Sequence, residues 1–214
     1  MTEKIKIILV DDHAVVRAGF RMLLETSEAI EVISEASRGE EAIGQYVNLK
    51  PDIVVMDLSM PGLGGLETIH RIVQRDGNAK ILVFSVYHQR VYVNRALNAG
   101  AKGYITKNSA PEILIEAIVT IMQGQNYIEQ GLIKINNSIK SQSDYQAIIH
   151  QFTPREFDVF RMLAQGMSVQ KIADELCLAY KTIANYATQI RKKLQVDTLI
   201  DLAHIAEDFG LMYC

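Results

Sequence analysis

The sequence predicts an α/β protein: a doubly wound, five-stranded parallel sheet, followed by a second, smaller domain built only of helices. Three observations carry that prediction. Short apolar runs rich in β-branched residues alternate five times with segments of helical periodicity, the pattern of a parallel sheet covered on both faces. A polar stretch, INNSIKSQSD, then ends the alternation. Beyond it the apolar stripes follow the helical period alone, with no credible strand.

Taken in order, Ile5–Val10 is the first strand, and Val16, Phe20, Leu23 and Leu24 give the next segment its helical spacing. Glu31–Glu35 precedes a helix at Glu40–Asn48, and Ile53–Met56 precedes one at Leu66–Arg75. Ile81–Phe84 leads to Arg90–Ala99, and Gly103–Ile105 to Pro111–Met122. Right-handed crossovers make all five strands point one way, so the residues leaving them collect along one edge, where such sheets bind ligands. That edge receives Asp11 and Asp12 from the first strand, Asp57 from the third, Ser85 from the fourth and Lys107 from the fifth. A dinucleotide fold needs a Gly-rich turn after its first strand, and here the turn is Asp-Asp-His. Clustered carboxylates suit a hard dication instead, and Mg²⁺ typically takes one or two of them with waters and a phosphate.

Each of these residues also has a plainer reading. Asp57 suits a loop cap beside Pro61, Gly62, Gly64 and Gly65, Ser85 a helix cap, Lys107 a solvated surface and Tyr104 an apolar core. His13 is a poor partner for Mg²⁺ and reads as a helix-start residue.

Length and composition bound the rest. A chain of 214 residues points to two domains, and 49% apolar with 22% charged residues is ordinary for a globular protein. No apolar run is long enough to span a bilayer, and Glu3, Lys4 and Lys6 interrupt any signal-peptide core, so a cytoplasmic location with no membrane association is expected. Cys177 and Cys214 are expected to be free thiols. A net charge of −3 excludes a broad polycation but not a local DNA-binding face.

The predicted boundaries are 1–125 for the sheet domain, 126–149 for a linker with room for a short helix, and 150–214 for the helical domain. In the last, Thr153, Pro154 and Glu156 form a capping box. Val159, Phe160, Leu163 and Ala164 follow as an inner stripe, ended by Gly166. Ser168 opens a helix with Ile172, Ala173 and Leu176 inward; after a break at Cys177–Ala179, Lys181–Leu194 carries Ile183, Ala187, Ile190 and Leu194. A last helix, Leu199–Phe209, turns Leu202, Ala203 and Ile205 inward. Two short helices joined by a brief turn suggest a helix-turn-helix.

VDDH at Val10–His13, MDLSMPGLGG at Met56–Gly65, Ser85 after a β run and GYITK at Gly103–Lys107 together resemble the receiver domain of a two-component response regulator. FTPREFDVFRMLAQGMSVQKIADEL and KTIANYATQIRKKL resemble the LuxR-type helix-turn-helix of the NarL/FixJ subfamily. The resemblance implies the flavodoxin-like strand order 2-1-3-4-5. It also implies that Asp57 accepts a phosphoryl group from a sensor histidine kinase. Asp11, Asp12, Asp57 and the Ser59 backbone carbonyl would hold Mg²⁺ and Lys107 would pair with a phosphoryl oxygen, while Ser85, drawn inward on phosphorylation, and Tyr104, rotating into the space it vacates, would form the switch. Apart from Mg²⁺-dependent phosphorylation and dephosphorylation of its own receiver, no enzyme activity is implied. Lys181–Lys193 becomes the recognition helix, with Lys181, Thr182, Asn185 and Thr188 toward base edges of double-stranded promoter DNA and Arg191, Lys192 and Lys193 toward phosphates. The three basic residues equally suit a solvated helix end favoured by the macrodipole.

Departures from the family pattern bear on DNA binding. Ala179 stands where a Ser usually caps the recognition helix, at a cost of about 1 kcal/mol, Tyr180 replaces a frequent Pro, and Ala184 and Thr188 replace common contact residues. From His150 onward seven Lys/Arg face eight Asp/Glu, so useful affinity is expected from a phosphorylated homodimer on paired half-sites. Two other classes stay open: a phosphatase using Asp57, which in the haloacid-dehalogenase type carries Asp where Ser59 stands, and a receiver whose tail only dimerises.

Overall fold

The computed structural model describes residues 3–132 and 143–212. It comprises two compact units, Met1–Lys134 and Ile135–Cys214.

The first unit is a parallel sheet of six strands, β1 (Ile5–Val10), β2 (Ile30–Ala36), β3 (Ile53–Met56), β4 (Ile81–Ser85), β5 (Gly103–Thr106) and β6 (Tyr127–Ile128), in the order β2-β1-β3-β4-β5-β6. Helices α1 (Ala14–Leu24), α2 (Gly39–Leu49), α3 (Gly65–Arg75), α4 (Arg90–Asn98) and α5 (Pro111–Met122) connect the six in turn. Every residue of β3, β4 and β5 is buried, which is why these strands read as continuous rather than alternating apolar runs. One core layer packs Ile7, Leu9, Ile53, Leu82 and Ile105 against Leu24 of α1 and Leu114, Ile118 and Ile121 of α5.

The sixth strand corrects the expectation of a linker, with at most a short helix, from residue 126. Tyr127 N–H donates to the Lys102 carbonyl at 3.0 Å and Glu129 N–H to the Tyr104 carbonyl at 3.0 Å, satisfying groups that the outer edge of β5 would otherwise expose. A strand of two residues has too few positions to show a period, so only pairing reveals it. A helix, α6 (Ser143–His150), lies at the other end of that segment, while most of the polar stretch lies outside the described residues.

The second unit adds α7 (Pro154–Ala164), α8 (Val169–Glu175), α9 (Tyr180–Leu194) and α10 (Leu199–Asp208). Thr153 and Glu156 make the reciprocal capping box at the start of α7, and Thr198 with Asp201 repeats it for α10. Ser168 caps α8, whereas Ala179 gives α9 no side-chain cap. The core joins Phe157, Phe160 and Leu163 to Ile172, Ile183, Ile190 and Leu194, and is closed by Leu202, Ile205 and Ala206. Ala203, expected inside, is half-buried: its place on the inner face falls to Ala206, one helical turn later. Cys177 is an exposed free thiol, and Cys214 lies outside the described residues. Among the described residues no helix is long and apolar enough to cross a membrane.

Candidate functional site

Register alone brings the acids together. Val10 of β1 is paired with Met56 of β3, so the next residue on each strand, Asp11 and Asp57, leaves the sheet at the same level. The ladder runs one step further, Asp57 N–H donating to the Val10 carbonyl at 2.9 Å. Likewise Ser85 is paired with Thr106, and Lys107 N–H donates to the Ser85 carbonyl at 2.9 Å. Four strand ends thus meet at one edge.

The lysine bridges two of the acids. Lys107 Nζ donates to Asp11 Oδ2 at 2.6 Å and to Asp57 Oδ2 at 2.7 Å, while both carboxylates are only 2% exposed. The other oxygens are held by the main chain: His13 N–H donates to Asp11 Oδ1 at 2.8 Å and Ser59 N–H to Asp57 Oδ1 at 3.2 Å. Burial pushes the Asp57 carboxyl above the usual carboxylate value, and the Lys107 charge offsets this only in part. Burial works to lower the Lys107 ammonium as well, but the two carboxylates outweigh it and leave the group raised. A buried carboxylate and an ammonium are therefore held against each other at the strand ends.

The donor set fits a dication. Oxygens of Asp11, Asp12 and Asp57, with a ring nitrogen of His13, lie within 4.8 Å of one another. Three carboxylates against one ammonium leave negative charge in excess, and Asp12 Oδ1 is buried without a hydrogen-bond partner. His13 Nδ1 stands 2.7 Å from that oxygen without hydrogen-bonding to it, and its side chain is 65% exposed. Hard oxygens dominate the cluster, which suits Mg²⁺ better than a metal that prefers imidazole. The loop after β3 supports this geometry: Gly62 and Gly64 adopt positive φ, and a Cβ on Gly65 would run into the Asp57 carbonyl.

Beside the pocket lie Ser85 and Tyr104, both fully buried. Tyr104 is already turned inward, where the resemblance implies that it rotates in only as Ser85 moves; its hydroxyl donates to the Tyr87 carbonyl at 2.7 Å, and burial raises its pKa. Ser85 Oγ accepts from Tyr87 N–H at 3.4 Å. Tyr87 went unnoticed in the sequence, yet its ring stacks on Tyr92 of α4 at 4.1 Å between centroids, and its hydroxyl lies 3.4 Å from Ser59 Oγ. A tyrosine after a strand carries no sequence signal that separates this role from packing.

On the second unit, α9 exposes Lys181, Asn185, Thr188 and Lys192, while Thr182 and Arg191 are half-buried. Thr182 lies beside the buried Ile183, at the margin of the inner face. Thr188 donates its hydroxyl to the Ala184 carbonyl at 2.9 Å, leaving its oxygen free only to accept. Arg191 Nε is buried without a hydrogen-bond partner, beside a depression of about 340 Å³ lined by Thr188, Arg191, Lys192, Gln195, Val196 and Asp197. Lys193 differs from its neighbours. Its ammonium donates to Glu156 Oε1 at 2.6 Å and lies 5.6 Å from the centre of the Phe152 ring, locking α9 onto the start of α7.

Comparison with known proteins agrees with this geometry. The family described as "Response regulator receiver domain" matches residues 7–119, and "Bacterial regulatory proteins, luxR family" matches residues 150–206. The chain is 38% identical over 208 residues to the transcriptional activator protein ExaE of Pseudomonas putida, covering 96% of this chain and 97% of ExaE. To the response regulator UvrY of Escherichia coli it is 34% identical over 212 residues, covering 97% and 95%. RcsB from Salmonella typhimurium shares the fold over the full length of both chains, at a TM-score of 0.70 and 24% identity. A structure of RcsB from Salmonella enterica serovar Typhimurium bound to a promoter in the presence of the phosphomimetic BeF₃⁻ has a TM-score of 0.67 and 25% identity, covering 96% of this chain and 100% of that one. With both family matches in place and curated relatives spanning nearly its whole length, the chain belongs to the two-component response regulators of the NarL/FixJ type, a receiver domain joined to a LuxR-type DNA-binding domain.

Proposed function

We propose that this protein takes a phosphoryl group on Asp57 from a sensor histidine kinase and, so modified, binds double-stranded promoter DNA as a homodimer. The meeting of Asp11 and Asp57 at the Lys107 ammonium, at 2.6 and 2.7 Å respectively, carries this reading. An Asp57 oxygen attacks phosphorus as the P–N bond of a phosphohistidine breaks; the bond's electron pair leaves with the imidazole nitrogen, and an acyl phosphate remains. Lys107 exchanges a carboxylate for a phosphoryl oxygen, and Ser85 donates its hydroxyl to another. Asp11, Asp12, Asp57 and the Ser59 carbonyl are the groups to hold Mg²⁺, which supplies neutralisation of charge on the transferring group. Dephosphorylation of the same acyl phosphate returns the receiver to its starting state.

Ser85 and Tyr104 form the switch in this reading. As the Ser85 hydroxyl turns to the phosphoryl group, the inward Tyr104 ring keeps the space beside it filled, and Tyr87 passes the change to α4 through its stack on Tyr92. Lys181, Thr182, Asn185 and Thr188 face base edges, and Arg191 and Lys192 face phosphates. Lys193 reaches a phosphate only by giving up Glu156, so its share is the smallest.

Genome-wide mapping of bound DNA, with and without acetyl phosphate as phosphoryl donor, tests the whole reading. Donor-dependent enrichment at discrete promoters is expected, and occupancy that ignores the donor would refute phosphorylation control. The metal has its own test. Mg²⁺ at a hundred times its dissociation constant should stabilise the receiver unit by about 2.7 kcal/mol. Asp12→Ala should remove most of that gain, measured as the melting shift between EDTA and Mg²⁺, and an equal shift in wild type and variant would take Asp12 out of the site.

A further inference from the structure

The turn carrying Lys107 is held from two sides, and only the Ser85 side belongs to the site described above. On the other side, backbone pairing between β5 and β6 ends with Glu129 N–H on the Tyr104 carbonyl, one step short of Thr106. The Thr106 N–H is the next donor on that edge. It is taken by a side chain instead, donating to Glu129 Oε2 at 2.8 Å. The second oxygen, Oε1, accepts from the Ser109 hydroxyl at 2.6 Å, and Ser109 Oγ lies 2.9 Å from Thr106 Oγ1. Ser109 N–H closes the turn on the Thr106 carbonyl at 3.1 Å. One half-buried carboxylate therefore grips the residue before Lys107 and the residue two after it.

Among the described residues Glu129 makes no ion pair, so its charge is directed at these two donors. Bonds to an ionised acceptor are about twice as strong as neutral ones. The lysine they flank is a point charge on a four-carbon stem, and where its ammonium lands depends on where the main chain of residue 107 is fixed. Chemistry that proceeds by positioning is sensitive to such anchoring.

We propose that Glu129 is a positioning residue for phosphoryl transfer, a carboxylate at the end of β6 that fixes the Thr106–Ser109 turn and so presents the Lys107 ammonium to Asp57. This rests on the phosphoryl-acceptor reading of Asp57 and Lys107. Glu129 touches neither the acids nor the phosphoryl group; it acts through the turn.

Full-length wild type, Glu129→Ala, Glu129→Gln, Ser109→Ala, Lys107→Ala and the Lys107→Ala/Glu129→Ala double variant are compared by calorimetry. Mg²⁺ alone is titrated first, then beryllofluoride in saturating Mg²⁺. Glu129→Ala should bind beryllofluoride roughly tenfold more weakly and take up phosphate from acetyl phosphate more slowly by a similar factor. Its Mg²⁺ affinity should stay within about twofold, because the proposed metal-holding groups lie in the residues after β1 and β3, not on the turn after β5. Glu129→Gln, whose amide oxygen still accepts from Thr106, should recover most of the loss, and Ser109→Ala should show a smaller one. In the Lys107→Ala background the second substitution should cost nothing more. Beryllofluoride binding unchanged in Glu129→Ala, an equal loss in the double variant, or parallel loss of Mg²⁺ binding would each overturn the proposal. If Lys107→Ala itself leaves beryllofluoride affinity intact, the underlying reading of Lys107 fails; if it weakens binding while Glu129→Ala does not, only the role of Glu129 fails.

Discussion

Replacing Asp57 with Asn is expected to abolish phosphate uptake and, in Mg²⁺-free buffer, to make the receiver unit more stable. The amide lacks the anionic oxygen that attacks phosphorus, so incorporation from acetyl phosphate should fall by more than about a thousandfold. Stability moves the other way because of the local charge balance. Asp11 and Asp57, each 2% exposed, share one ammonium, and removing one charge leaves a matched pair between Asp11 and Lys107 at 2.6 Å. A gain of about 1 kcal/mol, or roughly 3–6 °C in the melting temperature, follows for a unit of this size. Lys107→Ala should do the reverse, leaving two buried carboxylates without their cation at a cost of about 3 kcal/mol.

The dependence on pH separates this account from a general effect of the substitution. Burial raises the Asp57 carboxyl pKa, so the fold favours its neutral form. The stability this confers is fully present below the unfolded value, near 3.9, and is lost as pH rises through the folded value. Above the folded value the wild type has lost it, whereas Asn never titrates. The advantage of Asp57→Asn should therefore grow from pH 4 upward and vanish below, and saturating Mg²⁺ should shrink or reverse it at neutral pH. Melting curves of both proteins across pH, with EDTA and then with Mg²⁺, measure this directly. An advantage independent of pH would show that the buried charge is not its source.

How much of this was legible in the sequence depends on what each residue borrows from its neighbours. Asp11, Asp57 and Lys107 were readable because parallel strands end together, and a carboxylate or ammonium directly after an apolar run has only one edge to occupy. Strand β6 was not, since two residues show no period and its pairing depends on the bare edge of β5. Glu129 was hidden for the same reason: a glutamate after residue 126 reads as solvated until the Thr106 N–H is seen to lack a main-chain acceptor. Tyr87 resembled any aromatic in a loop, and its contacts to Ser59, Tyr92 and Tyr104 come from three different segments. In the helical unit the stripes of α7, α8 and α9 were plain. The exception was Lys193, grouped with Arg191 and Lys192 by composition and separated from them only by the carboxylate it meets.

That separation makes the proposed DNA-contacting role of α9 testable by contrast. Lys181→Ala with Asn185→Ala removes two exposed polar side chains from the N-terminal half of α9 and touches no core residue. If each contacts a base edge, specific binding should weaken by about 1–3 kcal/mol per contact, while phosphorylation and melting stay unchanged. Lys192→Ala, at an exposed position, should weaken specific and random DNA alike and lower the salt slope by about one if the side chain contacts a phosphate. Lys193→Ala should behave differently from both. Glu156 is only 4% exposed, and Lys193 and the Thr153 cap together hold its carboxyl below the usual value despite burial. Removing the ammonium leaves Glu156 with the cap alone, so the helical unit should lose about 1–3 kcal/mol of stability before any change at the DNA surface. Gel shifts at several salt concentrations, alongside melting curves, distinguish the three. Equal footprints for wild type and Lys181→Ala/Asn185→Ala would refute the placement of α9 in the groove. A stable Lys193→Ala that binds DNA poorly would show instead that Lys193 leaves Glu156 for a phosphate when the helix docks.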